Sequence, residues 1–426
     1  MPRVLLLLPT RSYRIPDFLE AAGKLGVEVT VASEEASAVE GLHPEGLLTL
    51  DFRDPAGAAR RAAEFAGKHP IRAVVGVDED TAVAAAVIAR ELGLPSNPVQ
   101  AVAAARHKPT MRGLLAEAGV PSPASRVFDR RSEGPESASK QVRFPCVLKP
   151  TFLAASRGVI RADGREEFAA AWRRIEAILE EPEVAAKGGD AAGEILVEDF
   201  VEGREVALEG LLREGELKVL ALFDKPDPLD GPFFEETIYV TPSRLSVEIQ
   251  ERVAQVASHG ALALGLRDGP VHAELRVHAG GAWLIEIAAR SIGGLCSRTL
   301  RFGTGMSLEE VILRHALRME MPEPEREKRA AGVMMIPIPG AGVLEEVRGL
   351  EEARAVAGVE DITISIHRGQ RVVPLPEGSR YLGFLFSRAE SPERAEEALR
   401  QAHSRLRFVI SDSTESQAEG VGPPRG

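Results

Sequence analysis

Over its first hundred residues the chain alternates short apolar runs with amphipathic stretches, and that rhythm admits few folds. Apolar runs at 4–8, 27–32, 47–52 and 73–77 are strand-like. The stretches 15–25, 55–68 and 79–92 carry helical patterning, the first stopped by Gly26 and the last by Gly93 and Pro95. Strands separated by helices pair in parallel through crossovers, so an α/β unit with helices on both faces of a parallel sheet is expected. No Gly-x-Gly-x-x-Gly follows the first run, so the rhythm alone assigns no dinucleotide.

At 426 residues the chain is long enough for two to four such units. An apolar content of 44% with 27% charged residues is ordinary for a soluble globular protein. A formal charge of -12 leaves no basic footprint for nucleic acid. The two cysteines, Cys146 and Cys296, have neither metal spacing nor a disulfide pattern, which fits the reducing cytoplasm. The first apolar run is short and reads as a buried strand, not a signal peptide, and no run reaches the length of a membrane span.

Further on, the patterning predicts a helix over 99–118, a loop over 129–141, a strand over 142–150, a helix over 164–181 and a Gly- and Ala-rich loop over 182–193. Strands at 195–200, 205–212 and 217–223 precede a long helix at 246–266. A glycine-containing loop at 291–306, a helix at 307–319 and a charged linker at 322–329 lead to a last α+β unit. That unit has strands at 333–338, 361–367 and 381–386 and helices at 350–357 and 392–406. The expected units are 1–98, 99–193, 194–320 and 331–410, with a disordered tail at 413–426.

One segment carries chemistry. Pro270-Val-His-Ala-Glu274-Leu-Arg-Val and Ala282-Trp-Leu-Ile-Glu286-Ile-Ala-Ala-Arg290 flank a turn at Gly280-Gly281 and read as a hairpin. Such a hairpin sets Glu274 beside Glu286. Two ionised carboxylates that close repel unless a cation lies between them, and Mg²⁺ binds through one or two carboxylates plus phosphate oxygens. A pair of solvated glutamates is the plainer alternative for the hairpin taken alone.

With this hairpin in place, residues 95–320 resemble the ATP-grasp superfamily, whose members join a carboxylate to an amine through an acyl-phosphate. The resemblance implies that Lys149, ending the strand Phe144-Pro-Cys-Val-Leu-Lys-Pro150, and Lys108, in Ala-Arg-His-Lys-Pro-Thr-Met-Arg112, contact phosphates. It implies that the loop Thr151–Gly158 covers the triphosphate through Ser156, Arg157 and Gly158, although Ala154 and Ala155 stand where glycines are common. Glu198, Asp199, Phe200 and Val201 match the adenine hinge, Glu205 the ribose acceptor, and Lys225 a third phosphate-binding cation. Glu274 and Glu286 become ligands of Mg²⁺, with Mn²⁺ as a substitute, while Ala288 replaces the family's usual Asn.

The same resemblance assigns Arg290 to the acyl-phosphate or substrate carboxylate, and places His272, Gly293, Gly294 and Arg298 beside substrate, with Arg301 as a further carboxylate holder. Arg290, Lys149 and Lys225 are the expected catalytic residues. The Glu-Ile-Ala-Ala-Arg string and the trailing unit look like the L-amino acid ligase branch. The implied fold is an N-terminal parallel-sheet domain, a split nucleotide-binding region and a C-terminal α+β cap. The implied activity is an ATP-dependent ligation of a carboxylate, an amino acid by preference, to an amine, releasing ADP and phosphate. A purine-pathway or biotin carboxylase-like enzyme, or a nucleotide-binding regulator, is the alternative. Small-molecule substrates, no nucleic acid, no membrane and a homodimer complete the expectation.

Overall fold

The computed structural model describes residues 1–10, 12–37 and 43–412; the expected disordered tail at 413–426 lies outside the described residues. The leading unit is a four-stranded parallel sheet in the order Leu47–Thr49, Glu28–Ser33, Arg3–Leu7, Ala73–Gly76. Helices Ile15–Leu25, Pro55–Ala66 and Glu79–Glu91 connect and follow the strands. Local chemistry sets their starts: Pro55 opens one helix behind Asp54, whose carboxylate accepts from the Gly57 N–H at 2.9 Å. The chain steps outward in one direction for three strands, then returns to pair Ala73–Gly76 on the other side of Arg3–Leu7. The strand order therefore reverses between these two neighbours, which opens a crevice at their carboxyl ends.

Two larger antiparallel sheets follow, beside a three-stranded and a two-stranded one. The smaller runs Ser125–Asp129, Glu194–Asp199, Cys146–Pro150, Ile160–Ala162. Helix Arg165–Leu179 covers it, burying Phe168, Trp172 and Ile175. Burying one such side chain stabilises by ~1.5–3 kcal/mol. The larger sheet has eight strands in the order Gly281–Ala288, Gly269–His278, Arg204–Arg213, Glu216–Asp224, Ile238–Thr241, Ala330–Ile336, Gly383–Ala389, Val359–Ile364.

Several expectations are revised. The helix expected over 99–118 is two helices, Val99–Arg106 and Lys108–Glu117, broken where His107 adopts φ -95°, ψ 100°. Pro109 explains the break, because a proline ring clashes with the carbonyl four residues back and has no N–H to give it. The loop expected over 182–193 is instead helix Pro182–Gly188 followed by a 3₁₀ turn over Gly189–Gly193. Pro182 pre-sets the first helical position there, and the alanines continue it. Strand Glu194–Asp199 pairs within the smaller sheet, although a boundary was expected at 193. Ala330–Ile336, Gly383–Ala389 and Val359–Ile364 of the last unit extend the eight-stranded sheet through the pairing of Ile238–Thr241 with Ala330–Ile336, while Arg371–Val372, Gly342–Arg348 and Arg407–Ser411 form a separate three-stranded sheet. The smaller sheet with its helix is the first lobe and the eight-stranded sheet the second.

Candidate active site

The two glutamates of the hairpin are direct cross-strand partners. The register places His272 opposite Ala288 and Glu274 opposite Glu286, with an irregularity just after Glu274. The turn is Ala279-Gly280, one residue earlier than expected, and both residues have positive φ (46° and 77°). That is the left-handed pair required by the tight hairpin turn whose twist matches the strands, and Gly280 supplies half of it without strain. Opposed residues in such a ladder hold their Cβ atoms about 4.5–5.5 Å apart.

Neither carboxylate stands alone. Lys225 Nζ lies 3.4 Å from Glu274 Oε1, and Lys108 Nζ lies 3.3 Å from Glu286 Oε2. Burial would push both carboxyls up. Lys225 outweighs it at Glu274, and Lys108, Lys149 and Arg290 outweigh it at Glu286, so both sit below the ordinary glutamate value. Both are ionised at neutral pH and face one cavity of about 440 Å³. Ala288, buried at 2% exposure, offers no ligand atom.

The first-lobe wall of this cavity is cationic. Lys149 ends its buried strand with Nζ 2.6 Å from Glu198 Oε2, and the other Glu198 oxygen accepts from Arg112 Nε at 2.7 Å. Burial raises the Glu198 carboxyl, but Arg112 and Lys149 overcome that and hold it down to about 2. Lys108 donates to the Leu153 carbonyl at 2.9 Å. Arg112 was missed in the sequence, yet it lies four residues after Lys108 on one helix, a spacing that places both on one face.

The covering loop carries Ala155 and Ser156 at φ 55° and 54°, the left-handed region where glycine is common. Ser156 lines the cavity. Arg157 and Gly158 do not: Arg157 donates to the Glu377 carbonyl at 2.7 Å and pairs with Glu181 at 2.6 Å, and the Gly158 N–H donates to the Pro376 carbonyl at 2.9 Å. Both are engaged by the loop that follows Val372 instead of facing the cleft.

The second-lobe wall is anionic. Lys225 Nζ lies 2.8 Å from Glu205, 2.5 Å from Glu236 and 3.4 Å from Glu274. Burial works against its charge, but these carboxylates raise the ammonium well above its ordinary value. The second Glu205 oxygen accepts from Arg276 Nε at 3.1 Å, so the carboxylate expected at the ribose already has two cationic partners. Glu236 was not expected; it sits in irregular chain between two strands, where no periodicity marks it. Its carboxylate also accepts from Tyr239 O–H at 2.6 Å. At the hinge, Asp199, Phe200 and Val201 line the cavity. The guanidinium groups of Arg161 and Arg276 lie 4.1 Å and 4.9 Å from the Phe200 ring centroid.

The remaining residues divide. His272 lines the cavity, with Nδ1 3.2 Å from buried Glu209. Arg290 lines it too and donates through Nε to Glu79 at 2.9 Å, a residue of the leading unit. Gly293 and Gly294 form part of the wall. Gly294 has φ 62°, and a Cβ there would fall 2.9 Å from the Phe384 ring, so glycine lets this loop lie against the ring. Arg298 and Arg301 do not line the cavity. The Arg298 fork is committed to Asp17 at 3.0 Å, and Arg301 donates to the Arg298 and Leu300 carbonyls. Burial pushes the thiols of Cys146 and Cys296 up to about 12, so neither provides a thiolate at neutral pH.

Residues 142–299 match the family model for the ATP-grasp domain, 19–96 the ATP-grasp N-terminal domain, and 334–411 the L-amino acid ligase C-terminal domain 2. The chain carries ATP-grasp domains, and its mixed parallel and antiparallel sheets form the ATP-grasp fold. It is similar to an L-amino acid ligase from Bacillus licheniformis, whose crystal structure matches with a TM-score of 0.83 at 27% identity over 97% of this chain and 99% of that one. Among curated proteins it is 27% identical over 263 residues to alanine–anticapsin ligase of Bacillus subtilis (59% of this chain, 55% of that protein). It is 30% identical over 273 residues to human carnosine synthase 1 (61% of this chain, 32% of that protein). The matches thus span less than two thirds of these curated relatives' length.

Proposed function

We propose that the chain is an ATP-dependent ligase that joins an amino acid carboxylate to an amine, releasing ADP and phosphate. The observation that carries this reading is the cavity's division: ionised Glu274 and Glu286 on one hairpin, faced by Lys108, Lys149 and Lys225. A pair of ionised carboxylates on adjacent strands suits a hard divalent cation, and Glu274 and Glu286 would hold Mg²⁺. When bound, the ion would offset phosphate charge and polarise phosphate oxygens.

The chain's own groups do the positioning. Lys108 and Lys149 offer ammonium donors to phosphate oxygens, Lys225 adds a third cation, and the backbone at Asp199–Val201 takes the adenine edge. Arg290, with its planar fork, holds the carboxylate in line with the transferred phosphoryl group. A carboxylate oxygen attacks the γ-phosphorus and ADP leaves. The amine nitrogen then attacks the acyl carbon, and phosphate leaves with the acyl–oxygen bond pair. No enzyme nucleophile is required, in keeping with two protonated thiols. The match of 334–411 to the L-amino acid ligase C-terminal domain supports this reading over a purine-pathway or biotin carboxylase-like one. No helix among the described residues is long and apolar enough to cross a membrane. A homodimer is part of the reading, and light scattering checks it.

The test is ADP release from Mg-ATP over a matrix of amino acids, singly and in pairs, with mass spectrometry of each positive well. Release that needs two substrates, with a product mass equal to their sum less water, supports the reading. ATP binding without release anywhere in the matrix overturns it.

A further inference from the structure

The cavity continues past Arg290 into a compartment for which the nucleotide chemistry has no use. One side comes from the leading unit, at the point where its strand order reverses. Tyr13 follows Arg3–Leu7 and Asp78 follows Ala73–Gly76, the two strands that flank that reversal. Crevices at the carboxyl ends of such strands are where open parallel sheets bind ligands. The other side comes from the far end of the eight-stranded sheet, where Met335 and Phe384 are cross-strand partners and Tyr381 precedes them in the same wall. The Tyr13 and Phe384 rings meet edge-to-face at 5.6 Å, and Tyr381 lies 6.4 Å from Phe384. Two units therefore close one aromatic box.

The charges beside the box are distinctive. Asp80 is paired with Arg106 and Lys187, and Glu79 with Arg290. Asp78 makes no ion pair among the described residues; its side chain accepts from Ser12 Oγ at 3.2 Å and, in a capping box, from the Thr81 backbone N–H. It also acts as the N-cap of Glu79–Glu91. Arg290 gives Nε to Glu79 and one terminal nitrogen to the Ser291 carbonyl, and its other terminal nitrogen has no partner among the described residues. Asp78 is close enough to Arg290 to act on its charge.

We infer that this compartment binds the carboxylate donor as an α-amino acid with a large apolar side chain. Its carboxylate rests on Arg290, its ammonium on Asp78, and its side chain against Tyr13, Tyr381, Phe384 and Met335. The inference rests on the ligase reading above and adds the class of donor. The donor's carboxylate is the one at Arg290 because Arg290 follows Glu286 by four residues and lines the same cavity as Glu274 and Glu286.

Hydroxylamine separates the donor from the unknown amine, since it attacks an acyl-phosphate to give a hydroxamate and free phosphate. The full-length protein with Mg-ATP and hydroxylamine is offered phenylalanine, leucine, methionine, alanine, glycine and 3-phenylpropionate, one at a time. Phenylalanine, leucine or methionine is expected to give kcat/KM at least ~100-fold above glycine, since each missing methylene in an apolar pocket is worth ~10-fold or more. 3-Phenylpropionate, which lacks the ammonium, is expected to fall well below phenylalanine.

Asp78→Asn keeps a helix-capping residue. It is expected to raise KM for phenylalanine ~10-fold or more and to leave 3-phenylpropionate unchanged. Tyr13 is 45% exposed, so Tyr13→Ala is compatible with folding. It is expected to cut the phenylalanine-to-alanine preference ~10-fold. Hydroxamate formed equally well from glycine, or from the des-amino acid, overturns this inference while leaving the ligase reading intact. No hydroxamate from any amino acid, with ATP still bound, overturns both.

Discussion

The two lobes facing the cavity solve the problem of buried charge in opposite ways. In the first lobe one carboxylate, Glu198, faces two cations, Arg112 and Lys149. In the second, Glu205, Glu236 and Glu274 surround Lys225, with Arg276 as the further cation on Glu205. Counted as formal charges, the first cluster has one positive charge in excess and the second one negative. Each excess is costly without a counter-ion in a partly buried site. The first wall is thereby prepared for an anion such as a phosphate and the second for a cation. The hairpin carboxylates stay ionised although burial opposes it, because Lys225 faces Glu274 and Lys108, Lys149 and Arg290 face Glu286.

The strongest way to break this comparison is to unbalance each cluster. Lys225→Met takes the lysine from Glu236 and Glu274 and leaves Glu205 with Arg276 alone, Glu198→Gln strands two cations, and each is expected to destabilise the protein by about 3–5 kcal/mol in urea denaturation. The rescue should cross over: Mg²⁺ should recover stability in Lys225→Met, and inorganic phosphate should do so in Glu198→Gln. Equal response of both variants to both ions would remove the distinction between the lobes.

Glu286→Gln is expected to slow ADP release on the order of 10²-fold or more at saturating Mg-ATP. Near-normal turnover would take the hairpin out of the metal site.

A pH series sharpens the first-lobe half. The folded carboxyl of Glu198 is held at about 2, whereas an unfolded glutamate titrates near ~4.3. The folded state therefore keeps the charge longer as acid is added. The stability from this group is complete above ~4.3 and falls away as pH drops through about 2. Glu198→Gln should flatten that part of the stability profile, and an unchanged acid limb would show that Glu198 is not the group responsible.

The smallest expected effect concerns the contact over the covering loop. Arg174 pairs with Glu377, with both side chains more than a third exposed, so Glu377→Ala should change stability by less than ~1 kcal/mol. It should still speed proteolysis within 151–158, because Arg157 and Gly158 are anchored to the same loop. Unchanged cleavage would mean that the cap does not restrain the covering loop.

What could be read from the sequence followed where periodicity and turns were strong. The hairpin announced itself through two β-rich runs and a glycine turn, but the turn falls one residue earlier than expected, and Glu274 meets Glu286 only because the register shifts just after Glu274, which no turn rule supplies. The parallel leading sheet was legible for the same reason. Glu236 left no trace, because it sits on irregular chain and gains its meaning only from Lys225, eleven residues away. Arg112 had a usable sign in its spacing from Lys108. Arg298 misled because an arginine near a glycine loop says nothing about an aspartate in another unit; only the fold brings Asp17 to it. Asp78 and Tyr13 were within reach of a general rule, that ligands collect at the carboxyl ends of strands where the order reverses, but strand order is not written in sequence.

The eight-stranded sheet has a mechanical consequence. Glu274 and Glu286 and the Met335–Phe384 wall lie on strands of one uninterrupted hydrogen-bonded ladder, so the span between them behaves like the fixed jaw of a caliper. The leading unit is fixed to it, because Val4, Leu6 and Phe18 share one buried core with Phe223, Val311 and Phe386. A change at Tyr13 therefore alters one face of that span and leaves the ladder undisturbed.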